Sequence, residues 1–184
     1  MEKMNFSKRE NFLVLLAQAG DKESLNRLLQ IVQAPLFRYI YRLAGEQSLT
    51  EDVLQEVFLS ICRKINFLRE PELFQASVYR IATRETFKQL KSEREWFEQI
   101  RDDETLQAIP ETERAENFEP EFIERLPQLL EKISPASRVV ISLHYLQELT
   151  LRETAEVLGI SVGTVKSRLN YGLESLREEF RGEN

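Results

Sequence analysis

An all-α fold, two small helical domains joined by an acidic connector, is predicted by three observations. Apolar residues recur at i, i+3 and i+4 through nearly every patterned stretch, and no short alternating run bounded by turn residues suggests a strand. Gly, Ser, Thr, Asp and Pro fall where helices begin and end. Charge is segregated: residues 1–94 carry 15 basic and 12 acidic side chains, 95–121 carry 2 and 10, and 122–184 carry 8 and 9. An acidic stretch between two nearly balanced ends is the pattern of two modules and a solvated linker, so the expected boundaries are 1–94, 95–121 and 122–184.

Each element has its own signals. A first helix is expected from Ser7 to Ala19, stopped by Gly20, with Asp21 as the N-cap of the next. That second helix carries Leu25, Leu28, Leu29, Val32, Leu36, Ile40 and Leu43, with Pro35 as a possible kink and Gly45 as its stop. A third starts near Ser48 or Thr50 with Glu51 and Asp52 in its first turn, where carboxylates complement the helix dipole. Val53, Leu54, Val57, Phe58 and Ile61 form its apolar face, and Cys62 beside them reads as packing. After a connection around Asn66 to Pro71, a fourth helix is expected from Glu72 to Arg94. The weakly periodic stretch from Trp96 to Phe122 reads as linker. Four more helices follow, near 121–132, 135–146, 151–158 and 162–180. Ser134-Pro135 places Pro at a helix start, and Thr150 with Glu153 is a capping box.

Composition excludes several classes. The chain has 184 residues, 42% of them hydrophobic, with one Cys and one His. A disulfide framework and a multi-thiolate metal site are ruled out, and His-dependent chemistry has little to work with. No apolar run approaches the ~20 residues of a membrane span, and Met1-Glu-Lys-Met-Asn lacks a signal-peptide pattern. The expectation is a cytoplasmic protein with no catalytic group, metal or cofactor.

The sharpest signal lies between Thr150 and Leu176. A short helix meets Gly159-Ile160-Ser161 and a second helix follows, which is a helix-turn-helix. Gly159 suits a left-handed helix end and Ser161 the next N-cap. At 100° per residue, Val165, Leu169, Leu173 and Leu176 share one face, while Thr164, Ser167, Asn170 and Tyr171 lie opposite. Lys166 and Arg168 flank that polar face. Small polar groups can meet base edges in a major groove, and flanking cations can reach phosphates.

The fourth helix stacks Arg80, Arg84, Lys88 and Lys91 at spacings of 4, 4 and 3. Like charges so placed repel by a few tenths of a kcal/mol each, which Glu85, solvent or a phosphate backbone would offset. Phe67, Phe74, Tyr79 and Phe87 lie nearby, and cations with aromatics suit single-stranded nucleic acid. Phe74 and Phe87 fit the core better than a stacking surface. On the third helix, Asp52, Gln55, Glu56 and Leu59 share one face beside the apolar stripe.

These motifs carry a resemblance. Leu149 through Leu169, with Gly163-Thr-Val-Lys-Ser-Arg-Leu at its core, is similar to the region 4 helix-turn-helix of bacterial sigma factors of the extracytoplasmic-function (ECF) group. Thr50-Glu-Asp-Val-Leu-Gln-Glu-Val-Phe58 resembles sigma region 2.2, and Phe74-Gln-Ala-Ser-Val-Tyr-Arg-Ile-Ala82 resembles regions 2.3 and 2.4. Ser77, Arg84 and Lys88 depart from the Trp, Asn and Asp the family often shows there. The resemblance spans about 10–94 and 122–180, leaving no further C-terminal domain and no region 1.1 expected.

The resemblance implies a division of labour. The Asp52, Gln55, Glu56 and Leu59 face docks on the clamp of core RNA polymerase. Ser161, Thr164, Lys166, Ser167, Arg168 and Tyr171 read the duplex −35 element. Arg80, Arg84, Lys88 and Lys91, with the loop from Lys64 to Leu73, hold the melted −10 strand. The acidic linker threads the polymerase interior. An anti-sigma partner is implied, as is a monomer when free, with no membrane insertion. Two other readings use the same helices differently. A polymerase-independent helix-turn-helix regulator would dimerise on a palindromic site. A helical adaptor binding only proteins would not need Lys166 or Arg168.

Overall fold

The computed structural model describes residues 8–90 and 120–182, and side chains from 125 to 181 within the second stretch. Among the described residues there are eight α-helices and no strand. They are α1 (Lys8–Gln18), α2 (Lys22–Ala44), α3 (Gln47–Lys64), α4 (Phe74–Gln89), α5 (Pro120–Leu129), α6 (Pro135–Ile141), α7 (Leu151–Leu158) and α8 (Val162–Gly182). The expected Ser7 start, Lys91 and the acidic linker lie outside the described residues.

The N-terminal half is a four-helix cluster in which α2 packs on α1, α3 and α4. Asp21 caps α2 by accepting from the Ser24 N–H at 3.1 Å. Hydrogen bonds from the Ser24 hydroxyl and N–H hold its carboxyl below the ordinary range. Gly45 ends α2 at φ 73°, a conformation open to glycine at little cost. Helix α2 continues through the buried Pro35, so packing outweighs the one lost ladder bond. Leu28, Val32, Leu36, Tyr39 and Ile40 are fully buried along it. Each such side chain contributes about 1.5–3 kcal/mol.

Helix α3 begins at Gln47, behind Glu46, earlier than the sequence suggested. Glu51 and Asp52 therefore fall in the second turn, where the dipole they were expected to complement has faded. Cys62 is exposed rather than packed. Helix α4 starts at Phe74 because Pro71–Leu73 forms a separate 3-10 turn. Phe74 and Phe87 are core, as expected.

The C-terminal half begins with α5, which tightens into a 3-10 turn at Leu130–Lys132. Ser134 caps α6 with Pro135 at its first position. Helix α6 then widens into a π turn over Ser142–Leu146. Thr150 and Glu153 form the expected capping box on α7, and Gly159 ends that helix at φ 67°. Val165, Leu169, Leu173 and Leu176 are all buried, so α8 turns inward the face its spacing assigns. Gly172 lets α8 approach α6 closely: a Cβ there would lie 2.6 Å from Ile141 Cδ1 and 2.8 Å from Ser137 Cβ.

The two halves touch. Helix α4 lies against α7, and α2 meets α6. The Tyr79 hydroxyl donates to Gln147 Oε1, and Gln75 Nε2 donates to the Gln147 carbonyl at 3.1 Å. Gln147 reaches α4 because the π turn leads into it and Glu148 follows at φ 56°. Arg138 Nη1 donates to the Arg42 carbonyl at 3.3 Å, near the C-terminal end of α2. Burial pushes the Arg42 and Arg138 guanidinium pKa values down.

Candidate nucleic-acid interface

Helix α8 presents its outer face by a simple device. The Ser161 hydroxyl accepts from the Thr164 N–H at 3.0 Å and lies 2.8 Å from the Thr164 hydroxyl. Ser161 thus caps the helix while remaining exposed. Ser167 donates to the Gly163 carbonyl at 3.1 Å, and a hydroxyl so engaged keeps lone pairs for a further partner. Thr164, Lys166, Ser167 and Asn170 are partly exposed and Tyr171 is exposed. These residues form one polar surface with an aromatic at its far end.

Arg168 departs from expectation. It is only 4% exposed, so its guanidinium sits among neighbouring groups rather than at the rim of the polar face. At about 100° per residue it lies only about 60° from Val165, near enough to the inner face to be drawn in.

The expected cation row on α4 is present over its described length. Arg80, Arg84 and Lys88 are exposed along one side. Lys88 pairs with Glu85 at 3.2 Å, the relief the spacing anticipated. Arg80 lies 4.0 Å from Glu156 of α7, a partner from the other half that spacing could not reveal. Ser77 is partly exposed on the same helix. Tyr79 is no stacking surface: it is fully buried, meets Tyr39 edge-on at 5.1 Å between ring centroids, and bonds Gln147. Tyr39 in turn shares a 2.7 Å hydrogen bond with Thr83. Burial pushes both phenols above their ordinary pKa. Ahead of α4, Phe67 is 83% exposed on the connection from α3.

A third surface lies on α3. Asp52, Gln55, Glu56 and Leu59 are exposed together. Beside them an open groove of about 440 Å³ runs between α2 and α3, lined among others by Phe37, Leu54, Phe58, Leu59 and Cys62. Phe37 stacks on Tyr41 with ring centroids 6.4 Å apart. The spacing of α3 marks the acidic and amide rim and Phe58, whereas Phe37 on the opposite wall comes from α2 and carries no local signal.

Among the described residues no group of three or more His, Cys, Asp or Glu is placed to hold a metal ion. No helix among them is long and apolar enough to cross a membrane.

Comparison with known proteins agrees with this arrangement. Residues 28–95 match the family model for sigma-70 region 2, and residues 129–178 match that for sigma-70 region 4. The chain is 29% identical over 171 residues to the ECF RNA polymerase sigma factor SigW of Bacillus subtilis, covering 88% of this chain and 91% of that one. It is also 29% identical over 160 residues to the ECF RNA polymerase sigma factor BldN of Streptomyces coelicolor, covering 84% of this chain and 60% of that one. In fold it resembles CnrH, solved with the cytosolic domain of CnrY, at TM-score 0.69 and 19% identity over 95% of this chain and 99% of that one. It also resembles the sigma factor RpoE of Bartonella quintana, solved with the anti-sigma factor NepR, at TM-score 0.63 and 17% identity over 86% of this chain and 98% of that one. The two matched regions stand in the order of the two helical halves, and the chain belongs to the sigma-70 family as an ECF sigma factor that directs transcription initiation.

Proposed function

We propose a division of labour in which residues 1–94 dock on polymerase and handle the −10 element, 95–121 link, and 122–184 read the −35 element. The observation that carries it is the exposure, on one chain, of the capped polar face of α8 and the cation row of α4. On α8, Ser161, Thr164, Lys166, Ser167 and Tyr171 meet the duplex, with Arg168 supporting them from within. On α4, Arg80, Arg84 and Lys88, continued by Lys91, follow the opened strand, with Phe67 offering a ring for an unstacked base. On α3, Asp52, Gln55, Glu56 and Leu59 meet the polymerase clamp, and the Phe37–Phe58 groove extends that surface. The protein works by binding rather than by catalysis, in the cytoplasm, and is monomeric when free. An anti-sigma factor regulates it, a reading supported by the fold shared with RpoE, which was solved bound to NepR.

The contact between halves supports a closed free form. The two promoter blocks stand about 25 base pairs apart by their names, roughly 85 Å along B-DNA. Helix α4 touches α7, and α7 leads directly into α8, so the two readers sit within roughly two helix diameters, about 20–25 Å. Docking on polymerase must separate them before both blocks can be read.

Run-off transcription with purified bacterial core polymerase and a genomic fragment library tests the function. Discrete starts that require the chain, lost when Asp52 and Glu56 are both changed to Lys, are expected. Clean footprints by the chain alone on palindromic sites would instead favour a polymerase-independent regulator. The closed form is tested separately with Gln147→Ala, which removes the acceptor of Tyr79. Free-chain binding to a promoter fragment should rise several-fold while holoenzyme activity changes little; unchanged free-chain binding would refute closure.

A further inference from the structure

The connection between α3 and α4 is held from outside. Of the residues from Ile65 to Glu70 only Ile65 is buried; Asn66, Phe67, Arg69 and Glu70 are exposed. Ile65 and the half-buried Leu68 pack on the core, while the exposed residues between and after them have no such anchor. Its own short turn closes with the Leu68 N–H donating to the Ile65 carbonyl at 3.2 Å. A polar hold is added by Gln18, the last residue of α1. Its Nε2 donates to the Ile65 carbonyl at 2.9 Å and to the Leu68 carbonyl at 2.8 Å. Two carbonyl acceptors can be met only by the amide nitrogen, so the orientation of this side chain is fixed. The two anchored carbonyls bracket Phe67, which is 83% exposed. The anchor itself is steady, because the Gly20 N–H bonds the Ala17 carbonyl and the Asp21 N–H the Leu16 carbonyl, locking the end of α1.

A ring that exposed adds little to folding. A backbone clamp on both sides of it fixes where it stands, and a preset reader loses less freedom on binding than a mobile one. We propose that Gln18 is a positioning residue for promoter reading: it holds the α3–α4 turn so that Phe67 meets the opened −10 strand already in place. This inference rests on the reading of that loop as a strand-handling element. Gln18 was not among the residues expected to matter, because its partners lie 47 and 50 residues away.

The test uses holoenzyme assembled from core polymerase and the full chain, with a promoter library randomised in the −10 and −35 blocks. Transcripts are sequenced to give base preference at each block. Gln18→Met keeps length and removes both donors, and should flatten the −10 preference about tenfold with the −35 preference and core affinity unchanged. Gln18→Lys restores a donor and should recover most of it. In wild-type holoenzyme the Leu68 amide, whose bond to the Ile65 carbonyl closes the turn, should exchange slowly, and in Gln18→Met about tenfold faster. Full −10 preference in Gln18→Met, with that preference lost in Phe67→Ala, would overturn the role of Gln18 and leave the loop reading standing. Full −10 preference in Phe67→Ala would overturn the loop reading and the inference together. An equal loss at both blocks with a lower melting temperature, unrecovered by Gln18→Lys, would mark Gln18 as merely structural.

Discussion

Helices α4 and α8, both proposed to meet nucleic acid, each present a polar face, yet the chain holds them differently. Helix α8 keeps two separate faces: Val165, Leu169, Leu173 and Leu176 pack inside its own half, and Thr164, Ser167 and Tyr171 stay outside. Helix α4 has a third commitment. Tyr79 and Gln75 bond Gln147, and Arg80 approaches Glu156, so part of its surface belongs to the contact between halves. A reader with two faces is always presented. On the proposed division of labour, one with three can be covered, and what covers it has to leave before it works.

The inner face of α8 should show the largest effect when broken. Leu176 is fully buried, and Leu176→Ala should destabilise the C-terminal half by about 2–5 kcal/mol. Thermal melting followed by circular dichroism would report it, and −35 selectivity should fall with the folded fraction. Gly172→Ala should act on the same face by overpacking, at about 1–3 kcal/mol, since its new methyl meets Ile141 and Ser137. An unchanged melting curve for either variant would mean that α8 is not seated as described.

The three-sided burial of α4 predicts an alkaline weakness. Tyr39 and Tyr79 have folded pKa values raised by burial. The unfolded phenols titrate near 10. The stability these neutral phenols contribute is therefore fully present below pH ~10. Above that the unfolded chain ionises first and stability falls, by about 1.4 kcal/mol per pH unit for each phenol until its folded value is reached. Urea melts at pH 9, 10 and 11 would measure the slope. Tyr79→Phe should remove about half of the loss, and an unchanged slope would mean that the phenol is not held neutral between the halves.

How much of this was legible in the sequence follows the same division. The burial of α8 could be read from spacing because its partners lie in the same short module and one helical period decides it. The caps at Asp21, Ser134, Thr150 and Ser161 were legible for the same reason, each being settled within three residues. Tyr79 was not: its aromatic ring beside cations suggested a stacking surface, and what buries it comes from Tyr39 and from Gln147, 68 residues away. Arg168 was assigned to the rim because a cation beside polar residues reads as exposed, and its long stem let it fold inward instead. The early start of α3 was missed because Glu46 lacks a capping hydrogen bond and leaves no local mark. Whatever depended on contact between distant segments was hidden, including both carbonyls held by Gln18.

The smallest predicted effect separates the two commitments of α4 most cleanly. Arg80 and Glu156 are 4.0 Å apart, with side chains about half exposed at 47% and 58%, so the pair contributes little to stability. Glu156→Gln should leave the melting temperature within a degree or so of wild type. It removes a carboxylate from beside a cation proposed to meet phosphate, and it loosens one contact between the halves. Both effects push the free chain toward DNA, so its affinity for a promoter fragment should rise about twofold at low salt, with the gain vanishing as salt screens the charge. If holoenzyme holds the halves apart as proposed, Glu156→Gln should do nothing there and Arg80→Ala should still weaken the −10 contact. If Glu156→Gln alters holoenzyme as much as free chain, the pair persists in the open complex, and α4 would have two faces like α8 rather than three.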